Sequence, residues 1–232
     1  MVKKCFNHST VPSRRKLPET VSPIVLGVTG GIACGKSLVC QFFKELGAAV
    51  LSADELAREA VRPGEKAYNE IVAYFGKEIL TTEGSIDRAR LAEKVFRVPA
   101  ARHELNQVTH PAIGRLAEQR ISELRKDPAV PLIIYEAPLL FEAKAEGRVD
   151  LVLVVAASPE QQLERLIRRE NLSREEAYRR ISAQMPLAEK VARADILIEN
   201  NGSPAEVQKL IGDIFVKLTT PNKKNPPIPE DV

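Results

Sequence analysis

Residues 24–37 read IVLGVTGGIACGKS, an apolar run of strand length that passes directly into Gly30-Gly31-Ile32-Ala33-Cys34-Gly35-Lys36-Ser37. The last eight residues match GxxxxGK[ST] at every fixed position. Glycines in such a loop let the backbone turn its N–H groups inward around phosphate oxygens. Lys36 adds a point charge at the β/γ bridge, and Ser37 offers a hydroxyl to Mg²⁺. Downstream, Val39, Phe42, Phe43 and Leu46 recur at i, i+3, i+4 and i+7, one stripe of a helix that starts in the loop and stops at Gly47. The N-terminus of that helix favours bound phosphate. Strand, loop and capped helix together predict a P-loop, with Gly31, Ile32, Ala33, Cys34, Gly35, Lys36 and Ser37 around the nucleotide. Cys34 lies near the positive helix end, where a thiol pKa can fall; a small packing residue is the plainer reading.

A second short strand, 48–51, leads into Ser52-Ala53-Asp54-Glu55. In a right-handed βαβ unit the two strands run parallel and their carboxyl ends share one edge. Asp54 can therefore face the γ-phosphate, orient an acceptor hydroxyl and receive its proton. Ser52 and Glu55 also spell a capping box, so a helix-cap role for Asp54 stands beside the catalytic one. The next apolar run, 132–135, ends in Glu136-Ala137-Pro138-Leu139-Leu140. Glu136 is the strand-end candidate for Mg²⁺ together with Ser37, with a solvated acid before a turn as the alternative.

A further buried strand, 151–157, precedes Ser158-Pro159-Glu160-Gln161, an N-cap, an N1 proline and a capping-box glutamine. In the helix that follows, Leu163, Leu166 and Ile167 share one side and Arg165, Arg168 and Arg169 the other. Ser173 and Glu176 open a second helix, giving a helical flap over about 158–190. Its arginines suit closure over a triphosphate; the alternative is a solvated face paired with Glu164, Glu170, Glu175 and Glu176. Between the second strand and the 132–135 strand, about 62–125 is helical by period and suits an acceptor-binding insertion. Within it, His110-Pro111 has the pattern of a cap and an N1 proline, which predicts a helix start with His110 in a binding or positioning role.

The chain has 232 residues, 44% hydrophobic, 28% charged and 5% aromatic, which excludes collagen-like, disulfide-scaffold and fully disordered classes. No apolar run approaches the roughly 20 residues of a membrane-spanning helix. The formal charge is +3, yet Lys3, Lys4, Arg14, Arg15 and Lys16 against Glu19 put +4 in the first 22 residues and leave −1 on the rest. With few aromatics and no basic body, nucleic-acid binding is not expected. Cys5, Cys34 and Cys40 form no metal or disulfide spacing, which points to a reducing, cytoplasmic setting. Residues 1–21 lack a secretory h-region and 221–232 are proline-rich; both are expected to be disordered tails around a folded body at 22–220.

Taken together, the residues from 26–37, Ser52-Ala53-Asp54 with Ala57-Arg58-Glu59, Phe75-Gly76, Ile86-Asp87-Arg88, His110-Pro111, Pro138-Leu139-Leu140-Phe141-Glu142, Gln162-Leu163, Arg169, Gln184, Ala194-Asp195 and Asn200-Asn201-Gly202 resemble the dephospho-CoA kinases in content and order. The resemblance implies an α/β P-loop NTPase fold with a five-stranded parallel sheet flanked by helices, an inserted helical substrate domain and a helical lid. It implies ATP-dependent phosphorylation of the ribose 3′-hydroxyl of dephospho-CoA, the last step of coenzyme A synthesis, with Mg²⁺. On it, Lys36 and Ser37 serve ATP and the metal, Asp54 is the base, Arg169 is the lid arginine and Asn200 lies near the nucleotide base. The acceptor is expected near Asp54, His110, Pro138 and Leu139, and the chain is expected to act as a monomer. Family members often carry GSGKS, DAD and RD where this chain has Ala33-Cys34, Ser52-Ala53-Asp54 and Arg169-Glu170. A nucleoside monophosphate kinase is the nearest alternative on the same scaffold. A nucleotide switch would need a guanine-reading N/TKxD, and the one similar run, Asn222-Lys223-Lys224, lacks the aspartate.

Overall fold

The computed structural model describes residues 22–220; the tails at 1–21 and 221–232 lie outside the described residues. Five strands, β1 (Ile24–Gly30), β2 (Ala49–Ser52), β3 (Leu132–Glu136), β4 (Leu151–Ala156) and β5 (Ile196–Glu199), form one parallel sheet in the order β2-β3-β1-β4-β5. The described helices are α1 (Lys36–Glu45), α2 (Ala53–Glu59), α3 (Lys66–Phe75), α4 (Arg88–Arg97), α5 (Pro99–Arg125), α6 (Pro159–Glu170), α7 (Arg174–Ser182), α8 (Leu187–Ala192) and α9 (Pro204–Thr219).

Both faces of the sheet are covered, so its central strands are apolar at nearly every position. Leu26, Val28, Leu132, Ile134, Leu153 and Val155 pack with Val39 and Phe43 of α1 and Val207 and Ile211 of α9. Val25, Ile133, Tyr135, Val152 and Val154 pack against Leu56 of α2 and Ala117 and Ile121 of α5. Side chains alternate along a strand, so Glu136 continues the Leu132–Ile134 row and emerges on the α1 side. Two aspartates fix the register at the opposite edge. Asp150, just before β4, exchanges two 2.8 Å hydrogen bonds with the Val25 backbone, and Asp195, just before β5, repeats the device with Val152 at 2.9 Å.

The end of α1 follows from its sequence. Gly47 adopts φ +97°, its N–H bonds the Lys44 carbonyl, and the Ala48 N–H reaches Phe43, which is a Schellman closure. Two capping boxes are only half made. Ser52 accepts the Glu55 N–H at 3.4 Å and Ser158 accepts the Gln161 N–H at 3.3 Å, while the Gln161 amide turns instead to the Asn201 carbonyl. The box at Ser173 and Glu176 is complete.

The expected helix start at His110-Pro111 is corrected: both residues lie inside the 27-residue α5. An internal proline deletes one backbone hydrogen bond and typically costs about 3 kcal/mol. Packing on both halves offsets that loss. Ala101, Leu105 and Val108 join Ile71, Phe75, Leu91 and Val95 in a satellite core with α3 and α4, whereas Ala117 and Ile121 face the sheet. At 100° per residue these two sets fall on opposite sides of α5, and Pro111 lies between them.

Candidate active site

The carboxyl edge of the sheet opens into a cleft of about 740 Å³, lined by the phosphate loop, Asp54, Glu136, Pro138 and the helical flap. Gly30 at φ +149° and Gly35 at φ +95° give the loop its turn. The first N–H groups of α1 have no intrahelical partner and open toward the loop. Lys36 folds back, donating to the Gly31 carbonyl at 2.8 Å and to Gly30 at 3.3 Å. Burial holds its ammonium below the ordinary lysine pKa, opposed by Cys34 and Glu136 and reinforced by Lys190 and Arg169.

Ser37 donates to Glu136 Oε1 at 3.1 Å. The contact follows from strand parity, which delivers the end of β3 to the first turn of α1. The Cys40 thiol, one turn further on, has its pKa raised by burial and by the Glu136 carboxylate. Burial likewise raises the pKa of Cys34, with Lys36 opposing. Cys34 fits the plainer reading of a small packing residue: its side chain is fully enclosed, and desolvation outweighs the nearby positive charge.

Asp54 stands exposed at the start of α2 and lines the cleft with Lys36, Ser37 and Glu136. Arg165, Arg168 and Arg169 line it from α6. Arg165 donates to the Asn200 carbonyl at 3.0 Å, and its other terminal nitrogen is buried without a protein partner. Arg169 pairs with Glu170 at 2.5 Å, and the same carboxylate binds Arg180. Four cations against two carboxylates make this a cleft suited to polyanions.

Other expected residues stand further back. Asn200 is buried and gives its amide to the Cys34 carbonyl at 2.9 Å, reaching across Gly35, where a Cβ would lie 2.1 Å from that nitrogen. Pro138 lines the cleft, and Leu139 is half exposed beside it without lining it. His110 sits on α5 outside the cleft lining, its pKa lowered by burial and by Arg148. Sequence reasoning missed Lys190. It is fully buried, 2.8 Å from Glu142 and 2.9 Å from the Pro138 carbonyl, and only the Glu142 motif hinted at it.

Comparison with known proteins identifies the family. A family model described as dephospho-CoA kinase matches residues 24–206. A dephospho-CoA kinase of Geobacter sulfurreducens is 49% identical over 193 residues, covering 83% of this chain and 98% of its own. One from Syntrophotalea carbinolica is 46% identical over 203 residues, covering 88% and 95%. The solved dephospho-CoA kinase of Campylobacter jejuni superposes with a TM-score of 0.65 at 30% identity, over 84% of this chain and 96% of its own. With a phosphate loop, a strand-end acid and an arginine-bearing flap on one edge, and with kinship running from β1 into α9, the chain belongs to the dephospho-CoA kinase family.

Proposed function

We propose that this protein transfers the γ-phosphoryl group of ATP to the ribose 3′-hydroxyl of dephospho-CoA, giving coenzyme A and ADP, the final step of coenzyme A synthesis. The observation that carries this reading is the meeting of Asp54 with Lys36 and three arginines in a single cleft of a chain of this family. The acceptor oxygen attacks the γ-phosphorus in line. Its proton passes to an Asp54 carboxylate oxygen, and the bond from the γ-phosphorus to the bridging oxygen breaks, its electrons leaving with ADP. Gly31, Ile32, Ala33, Cys34, Gly35, Lys36 and Ser37 form the loop around the phosphates. Lys36 and Arg169 neutralise charge on the transferring group, and Arg169 must then exchange Glu170 for phosphate.

Ser37 and Glu136 would hold Mg²⁺. A hydroxyl and a carboxylate 3.1 Å apart are the hard oxygen donors it prefers. Among the described residues no group of three or more His, Cys, Asp and Glu could hold a metal unaided, so phosphate oxygens and water would complete the shell. Bound there, Mg²⁺ would neutralise charge on the phosphate oxygens. Pro138 and Leu139 would border the acceptor, His110 would position its far end, and Asn200 would act near the nucleotide base through the loop it supports. Free buried thiols at Cys34 and Cys40 support a reducing, cytoplasmic setting, and we assign a monomer.

Coupled ADP release with ATP·Mg and a panel of dephospho-CoA, AMP and adenosine tests the assignment. Turnover with dephospho-CoA at least roughly a hundredfold above the other acceptors in kcat/KM is expected. Preference for AMP would instead make this a nucleoside monophosphate kinase.

A further inference from the structure

Two carboxamides from the two roots of the flap meet one residue of the phosphate loop. Gln162, in the first turn of α6, donates to the Ile32 carbonyl oxygen at 2.8 Å; Gln184, just after α7, accepts the Ile32 N–H at 3.0 Å. Both peptides flanking the Ile32 Cα are thereby fixed. The Gly31–Ile32 peptide is held at each end, its N–H by Gln184 and its carbonyl by the Lys36 ammonium. The Ile32–Ala33 peptide is held through its carbonyl. A trans peptide points its N–H opposite to its C=O. Holding that carbonyl toward the buried Gln162 therefore turns the Ala33 N–H the other way, into the cleft that Ala33 lines and Gln162 does not.

Two further features belong to the same device. A Cβ on Gly31 would stand 2.3 Å from Gln162 Nε2, so the bare glycine is what admits the carboxamide. Ala33 adopts φ +59°, a left-handed conformation that a non-glycine residue holds only with outside support. That support is the flap itself: Ile32 and Ala33 pack against Leu163, Leu166 and Ala177. The helix that aims the loop also carries Arg165, Arg168 and Arg169.

We propose that Gln162 and Gln184 are positioning residues for phosphoryl transfer, which clamp Ile32 from both roots of the flap so that the Ala33 N–H faces the phosphates of ATP. The proposal rests on reading the cleft as an ATP site. Residue-resolved amide exchange in the ligand-free protein tests the clamp without any reaction. Gln184→Met should speed exchange of the Ile32 amide at least roughly tenfold, while Gln184→Glu, whose carboxylate still accepts, and Gln162→Met should both leave it slow. Gln162→Met should lower kcat/KM for ATP roughly tenfold and leave KM for the acceptor within about twofold. Gly31→Ala displaces the Gln162 carboxamide without deleting it and should reproduce that loss, which keeps the question open to test if Gln162→Met fails to fold. Slow Ile32 exchange in Gln184→Met overturns the proposal, as does normal kcat/KM for ATP in Gly31→Ala or Gln162→Met. A chain that binds no ATP would sink the ATP reading instead, and the nucleotide-free exchange pattern would still judge the clamp.

Discussion

Lys190 has no exposed surface, and its ammonium lies 2.8 Å from Glu142 and 2.9 Å from the Pro138 carbonyl, tying α8 to the loop that follows β3. Glu142 also accepts the Met185 N–H at 3.1 Å, so one ion pair fastens the far root of the flap. Removing one member of a buried pair strands the other charge. Lys190→Met is expected to cost about 3 kcal/mol, lowering Tm by roughly 6–12 °C for a domain of this size. The double variant Lys190→Met/Glu142→Leu should regain at least half of that in a thermal melt. A single variant as stable as the parent would show that the pair contributes nothing.

Asp54→Asn keeps the size of the side chain and removes the proton acceptor. It is expected to lower kcat by roughly 10²–10⁴ while the Kd for ATP, read by calorimetry, moves less than about threefold. Lys36→Ala should depress kcat/KM for ATP by about 10² or more. Full turnover by Asp54→Asn would remove it from the role of base.

The lowered pKa of Lys36 sets two pH dependences of opposite sign. In the proposed function its charged form serves the phosphates, so kcat/KM for ATP should fall as pH rises through a value below the ordinary 10.5. Folding favours the neutral form, so its contribution to stability grows over that same interval, from the folded pKa up to the unfolded one. Lys36→Met should flatten both profiles. A basic limb at or above 10.5 would contradict the burial that lowers this group.

Cys34 and Cys40 are enclosed, and burial raises both thiol pKa values. In a Cys5→Ser background, a disulfide reagent at pH 8 should titrate fewer than about 0.1 thiols per chain within minutes and two after denaturation. Rapid reaction of a native thiol would restore Cys34 as a redox-sensitive residue.

The phosphate loop and its helix were legible because everything that shapes them lies within a few residues: an apolar strand, fixed glycines, a periodic stripe and Gly47. Glu136 was legible for a related reason, since strand parity and the parallel topology leave few places for it to go. Gln162, Gln184 and Lys190 were not, because their partners lie 48 to 152 positions away and a polar contact across that distance leaves no periodic trace. At Cys34 a packing role was already the plainer reading, though its local cues pointed two ways. The helix end beside it is visible in the sequence, whereas the desolvation that overrides it arises only when the sheet, α1 and α9 enclose the thiol in their common core. Pro111 misled because a local rule for helix starts lost to two separate cores pulling on one long helix.

That helix couples the insertion to the sheet. Neither the satellite core nor the α5-facing side of the sheet is whole without it, so loosening one end frays the other. Calorimetry should therefore register a single cooperative melting event, with the α3–α5 insertion and the parallel sheet denaturing together as one thermodynamic unit.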